Sequence, residues 1–172
     1  MDLGKKKDHV LLVAHTLFKT YGFQYVGVDR IISESKVAKM TFYNNFLSKN
    51  NLMLAVVERE ISDQKTALQS IVSGNGSQVK QIEKLFLWHL GIIENENYSG
   101  CLLNKALVEL WRDIEVVKLI EDFNKWKFKL VLNLLNEDKK DKAVIIFNLL
   151  NAMLLPANQN IIKWADLEKL IV

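Results

Sequence analysis

From Lys5 to Tyr21 the apolar positions Val10, Ala14, Leu17, Phe18 and Tyr21 recur at i, i+4, i+7, i+8 and i+11. That spacing predicts one amphipathic helix. Gly22 tolerates the left-handed cap that ends such a helix, and Phe23 is then positioned to fold back onto its last turn. Val28, Ile31 and Ile32 mark a second, short helix ending near Ser35, and Val37 sits in a tight connection. In a third short helix Phe42 and Phe46 lie one turn apart and point inward, leaving Lys39, Met40, Thr41, Tyr43 and Asn44 outward. Ser48 is suited to cap a fourth helix that runs from Lys49 through Leu52, Ala55, Val56 and Ile61 to about Ile71.

The run Ser73-Gly74-Asn75-Gly76 stops that helix. Ser77 caps a fifth, which contains Leu85, Phe86, Trp88 and His89 and fades into Glu94-Asn95-Glu96-Asn97. Further helices are expected over residues 100–111, 113–136, 139–158 and 159–172. No strand alternation and no internal repeat interrupts this reading. The expectation is an all-α protein of about nine helices: a three-helix, helix-turn-helix unit over residues 1–50, then a helical domain over 51–172.

Composition agrees with the pattern. Of 172 residues 49% are hydrophobic, with one proline and seven glycines, enough for a sizeable core and for long helices. No run of eighteen apolar residues marks a membrane span, and the first ten residues lack the apolar stretch of a secretory leader. The single Cys101 forms no internal disulfide and provides no metal-ligand spacing. No metal, no cofactor, no membrane partner and a cytoplasmic setting are the corresponding expectations.

The net charge of +3 is modest but unevenly spread. Residues 1–50 hold eight Lys/Arg against four acids, so the basic surplus lies at the front. Such a front suits a polyanion. A trihelical helix-turn-helix holds a short helix proud of two others because the major groove of DNA admits only one. Double-stranded DNA is therefore the first candidate partner.

The segment GFQYVGVDRIISESKVAKMTFYNNFLSKNNLMLAV, residues 22–56, resembles the N-terminal domain of the tetracycline-repressor (TetR) family. Carrying the likeness are Leu17-Phe18, Tyr21-Gly22-Phe23, Ile31, Val37, Thr41-Phe42-Tyr43, Phe46, Ser48-Lys49 and Leu52. The resemblance implies that Tyr43 and Lys49 contact backbone phosphate, and that Lys39, Met40, Thr41 and Asn44 fall where bases or adjacent phosphates are read. An asparagine there is chemically able to pair with adenine, and Thr41 or Met40 to touch a thymine methyl. Lys5, Lys6 and Lys7 are a further candidate, as an arm along the backbone.

Five positions depart from the family pattern. Lys36 stands where glycine is usual in the turn, Ala38 replaces a serine cap, Val26-Gly27 replaces a hydroxyl pair, and Asn45 replaces a common histidine. Strain at Lys36 and a missing cap at Ala38 are expected.

The resemblance also implies a repressor released from a pseudo-palindromic operator by a small-molecule effector, and a second domain that binds that effector and dimerises. Effector-pocket candidates are Trp88, His89, Cys101, Asn104, Trp111, Phe123, Trp126, Phe147, Asn148 and Asn151, large aromatics with a few polar groups. The helix from Lys139 reads as apolar on two faces, which needs burial on both sides. Ile145, Leu149, Ala152, Met153, Pro156, Ile161, Trp164 and Leu167 are the corresponding homodimer-interface candidates.

Two other function classes compete. A helical protein-interaction module would share the basic front. An enzyme would need Cys101 and His89 as a nucleophile–base pair, and neither a third orienting group nor an oxyanion loop accompanies them. No catalytic residue is assigned.

Overall fold

A computed structural model describes residues 3–74, 76–158 and 161–172. Asn75 of the predicted stop and Gln159, the expected start of the last helix, lie outside the described residues. Among those residues the ordered structure is helical: α1 (Leu3–Tyr21), α2 (Val28–Ser35), α3 (Lys39–Asn45), α4 (Lys49–Val72), α5 (Gln78–Ile93), α6 (Leu102–Glu109), α7 (Ile114–Leu134), α8 (Ala143–Met153) and α9 (Trp164–Ile171). Short 3-10 turns at Glu137–Lys142 and Pro156–Asn158 flank α8. No described helix is long and apolar enough to cross a membrane.

The chain divides into two compact units. One comprises Met1–Ser62 with Cys101–Ile120, and the other Asp63–Gly100 with Glu121–Val172. Packing thus groups α6 and the start of α7 with the N-terminal helices, where reading along the chain divides it at residue 50.

In the first unit α1 packs on α2 and α3. Val10, Ala14, Leu17 and Phe18 of its stripe are buried beside Ile31 and Phe42. Phe23 returns onto Phe18 with ring centroids 4.8 Å apart, and Gly22 takes φ +85° to make that reversal. Gly22 has a second constraint, since a Cβ there would stand 2.6 Å from a Glu109 carboxylate oxygen. Lys5, Lys6 and Lys7 lie on the opening turns of α1, within the helix. The arm expected from the sequence is therefore helical, with the Lys7 ammonium 5.8 Å from the Phe46 ring centroid.

Helix caps follow from local chemistry. Ser48 Oγ accepts the Asn51 N–H at 3.1 Å to open α4, and Ser77 accepts from Lys80 at the start of α5. Asp113 Oδ1 accepts the N–H groups of Glu115 and Val116, each at 3.2 Å, at the start of α7.

In the second unit α5 packs against α8 and α9. The expected helix over 139–158 is shorter than its apolar run. Glu137–Lys142 tightens into a 3-10 turn, and Pro156, which has no N–H to continue the ladder, begins another. The last helix is likewise shorter than expected. It starts at Trp164, where the Lys163 N–H is taken by Asp166 Oδ2 at 3.0 Å.

Candidate functional site

The recognition element is α3. Phe42 and Phe46 are buried, their rings 6.1 Å apart, and anchor one side of the helix in the core of the first unit. Only seven residues long, α3 keeps its remaining positions outward. Met40 is 71% exposed and Tyr43 39%, the latter edge-on to Phe42 at 5.2 Å. Lys39 and Asn44 are exposed and Thr41 is half-buried. Asn45 instead bonds inward along the helix, its Nδ2 donating to the Thr41 carbonyl at 2.7 Å.

Three of the departures have visible consequences. Lys36, the C-cap of α2, adopts φ 53°, ψ 33°, the left-handed region that favours glycine. Ala38, the N-cap of α3, makes no side-chain cap bond. Gly27 likewise leaves α2 without a side-chain cap.

Lys49 opens α4 half-buried, and burial pulls its ammonium below the ordinary lysine range against the opposing pull of Glu109. Glu109 has further ties. Its Oε2 accepts the Gln24 N–H at 2.7 Å, its carbonyl accepts Gln24 Nε2 at 3.1 Å, and Lys105 Nζ reaches the Lys19 carbonyl at 2.5 Å. Helix α6 is thereby fastened to the end of α1 and to the turn that leads into α2. Sequence reading passed over Glu109, because its partner lies 85 positions away.

The effector-pocket candidates separate between the units. Cys101, Asn104 and Trp111 belong to the first. Trp111 is 63% exposed, carries the Arg112 guanidinium 4.7 Å above its ring, and lines an open groove of about 590 Å³ with Gln24, Met53 and Glu109.

In the second unit a small cavity of about 20 Å³ brings together His89, Phe147 and Asn151 with Leu68, Leu85 and Lys127. Trp88 is edge-on to His89 at 4.8 Å, and Trp126 stacks on Phe123 at 5.8 Å. Asn148 does not join them; it is exposed and donates to the Val144 carbonyl at 2.8 Å.

His89 is buried, its Nδ1 bonded to the Leu85 carbonyl at 2.7 Å. Burial, reinforced by the Lys127 charge, pushes its pKa down to about 4, so the ring is neutral near pH 7. Lys127 Nζ donates to Asn151 Oδ1 at 2.7 Å and stands 4.9 Å from the Phe123 ring centroid and 5.9 Å from that of Phe147. Lys127 was missed although the sequence carries a signal for it. It falls on the stripe Val116, Ile120, Phe123, Lys127, Val131, whose other members are all buried.

The interface candidates also divide. Met153 and Leu167 are 1% and 0% exposed, packed in their own unit. Their assignment to a subunit interface is corrected: the inward face of α8 consists of Ala143, Ile146, Leu150 and Met153, at spacings of three and four. Trp164 is half-buried and tilts onto Phe86 at 5.9 Å, lining a groove of about 280 Å³. Ile145, Pro156 and Ile161 are exposed, whereas Leu149 and Ala152 are half-buried.

A three-helix core presenting α3 defines a helix-turn-helix protein. Residues 10–56 match the model of bacterial regulatory proteins, tetR family. An HTH-type transcriptional regulator of Lactococcus lactis subsp. lactis, encoded in the lacX 3' region, is 26% identical over 72% of this chain and 61% of its own length. The HTH-type transcriptional repressor DhaR of Mycobacterium sp. (strain GP1) is 26% identical over 70% of this chain and 61% of its own length. The chain thus spans about six tenths of the curated relatives it matches. Among solved structures, the TetR-family regulator SCO4454 of Streptomyces coelicolor has the same fold, with a TM-score of 0.83 at 18% identity over 96% of this chain and 89% of that one. The reduced form of E. coli NemR superposes with a TM-score of 0.79 at 19% identity over 97% and 93% of the two chains. Over residues 10–56 the chain is thus similar to the tetR family of bacterial regulatory proteins, and its fold is that of the solved regulators.

Proposed function

We propose that this chain is a cytoplasmic transcriptional repressor, without a catalytic step, that binds a pseudo-palindromic operator as a homodimer and is released by a small-molecule effector. The observation that carries this reading is the division of α3: Phe42 and Phe46 buried, Lys39, Met40, Tyr43 and Asn44 exposed together. A helix anchored on one side, with its other side exposed, is what a major groove accepts. Tyr43 and Lys49 take phosphates, Lys49 at a helix N-terminus where backbone N–H groups favour an anion. Lys39, Met40, Thr41 and Asn44 face base edges.

A dimer supplies the second recognition helix, with Val144, Ile145, Leu155, Pro156 and Ile161 as the apolar surface available to a second copy. Effector binding acts by favouring one arrangement of the two recognition helices over the other. A covalent route for that bias is α4, which continues from the first unit into the second.

The test is selection of bound sequences from random duplex DNA, followed by anisotropy titration at two salt concentrations. Affinity that falls steeply with salt and discriminates the selected site supports the reading. Asn44→Ala is expected to relax discrimination at one position by about 1–3 kcal/mol, whereas Tyr43→Ala weakens all sequences alike. Unchanged duplex affinity in both variants overturns it.

A further inference from the structure

The turn between α1 and α2 sets the angle at which the helix-turn-helix begins, and its own residues fix it only in part. Phe23 and Val26 are buried and anchor it from within, whereas Gln24 and Tyr25 between them are exposed. Gly27 gives α2 no side-chain cap, so the first N–H groups of that helix have no side-chain acceptor at the cap. The bond that holds the exposed stretch comes from 85 positions further along the chain. The Glu109 carboxylate accepts the Gln24 N–H at 2.7 Å, and the Glu109 carbonyl accepts Gln24 Nε2 at 3.1 Å. The first of these is charge-assisted, the stronger kind.

Glu109 is itself firmly mounted. Leu102, Leu103, Ala106 and Leu110 bury the inward side of α6 and its end in the core of the first unit. Gly22 leaves the carboxylate its room, since a Cβ there would stand 2.6 Å from Glu109 Oε1. The same carboxylate also acts on Lys49, where it opposes the loss of charge that burial imposes on that ammonium. Gln24 precedes α2 and Lys49 follows α3. One side chain of α6 therefore faces both segments that flank the helix-turn-helix pair.

We propose that Glu109 is a positioning residue for DNA binding, whose bond from the Gln24 N–H substitutes for the missing cap of α2 and fixes α2 and α3 for the groove. The proposal rests on the regulator reading and deepens it, because it makes the DNA-binding unit discontinuous in sequence: residues 1–50 are incomplete without α6. Glu109 touches no DNA in this role. A purely electrostatic role has the opposite sign, since a carboxylate near Lys49 repels phosphate and its removal would tighten binding. Positioning depends on an acceptor oxygen, which Glu109→Gln keeps and Glu109→Ala removes.

The experiment measures two quantities on the whole chain, well below the melting temperature of each variant: amide hydrogen exchange of the Gln24 N–H without DNA, and affinity for the selected duplex at two salt concentrations. In Glu109→Ala the Gln24 N–H is expected to exchange roughly tenfold faster and duplex affinity to fall roughly tenfold. The salt slope stays the same, because no phosphate contact is removed. Glu109→Gln should keep slow exchange and an affinity within about threefold of the native chain. Unchanged Gln24 exchange in Glu109→Ala, unchanged or tighter duplex binding in that variant, or an equal loss of affinity in Glu109→Gln overturns the proposal. Failure of the repressor reading looks different: the native chain then binds no duplex specifically, and the positioning role falls with it. Specific binding by the native chain that Glu109→Ala leaves intact overturns the positioning role alone.

Discussion

Lys36 shows how a single position can carry a cost visible at both levels. Its φ of 53° ends α2 and aims the chain into α3, and a side chain in that region costs about 1–2 kcal/mol. Lys36→Gly relieves the strain but frees the unfolded chain, which returns about 0.4–1 kcal/mol. The net expectation is a gain of about 1 kcal/mol in urea denaturation, and a loss would show that the turn is unstrained. His89 makes a prediction of opposite character. Its folded pKa lies at about 4, below the 6.5 of an exposed histidine, so the unfolded chain takes up the proton first as pH falls. The stability due to neutral His89 is full above pH 6.5 and is lost as pH falls towards 4, about 3 kcal/mol in all. Denaturation midpoints at pH 7, 5.5 and 4.5 should fall more steeply for the native chain than for His89→Leu. Parallel profiles would remove His89 from the acid response. The sequence offered His89 as a pocket residue; its neutrality comes from burial and from Lys127, neither of which a linear pattern expresses.

At the scale of elements, α3 is short and lacks a cap. Seven residues give little intrinsic helix stability, so Phe42 and Phe46 hold the element from below. Ala38 has the extended φ −67°, ψ 145° of an N-cap without a side-chain acceptor. Ala38→Ser places a hydroxyl where the Thr41 N–H is available and is expected to add about 1 kcal/mol. Thermal unfolding reads this directly; no gain would mean that the N–H is already satisfied elsewhere. The same helix was legible almost completely in advance, because the i, i+4 pairing of Phe42 and Phe46 sets its inward side. Helix α8 was less legible. Its apolar residues, Val144, Ile145, Ile146 and Phe147, run continuously, and a continuous run does not say which side is inward. Packing chose Ala143, Ile146, Leu150 and Met153, leaving Val144 and Ile145 exposed.

For the whole molecule, that exposed pair is where the dimer proposal is tested. Ile145→Lys should convert a sedimenting dimer to monomer and weaken operator binding at least tenfold, since one recognition helix then acts without the other. A dimer that persists with full affinity would place the two-fold surface elsewhere. The sequence by itself determined the succession of helices, the inward pair on α3 and the exposure of its other face, because these follow from periodicity and capping within a few residues. Tertiary structure alone decided that residues 101–120 pack with the N-terminal helices, that Glu109 fastens Gln24, and that Lys127 meets Phe147 and Asn151 beside a buried imidazole. Each of these joins positions twenty or more residues apart, and no local period specifies such a meeting; it is set by which apolar faces bury one another when the chain closes.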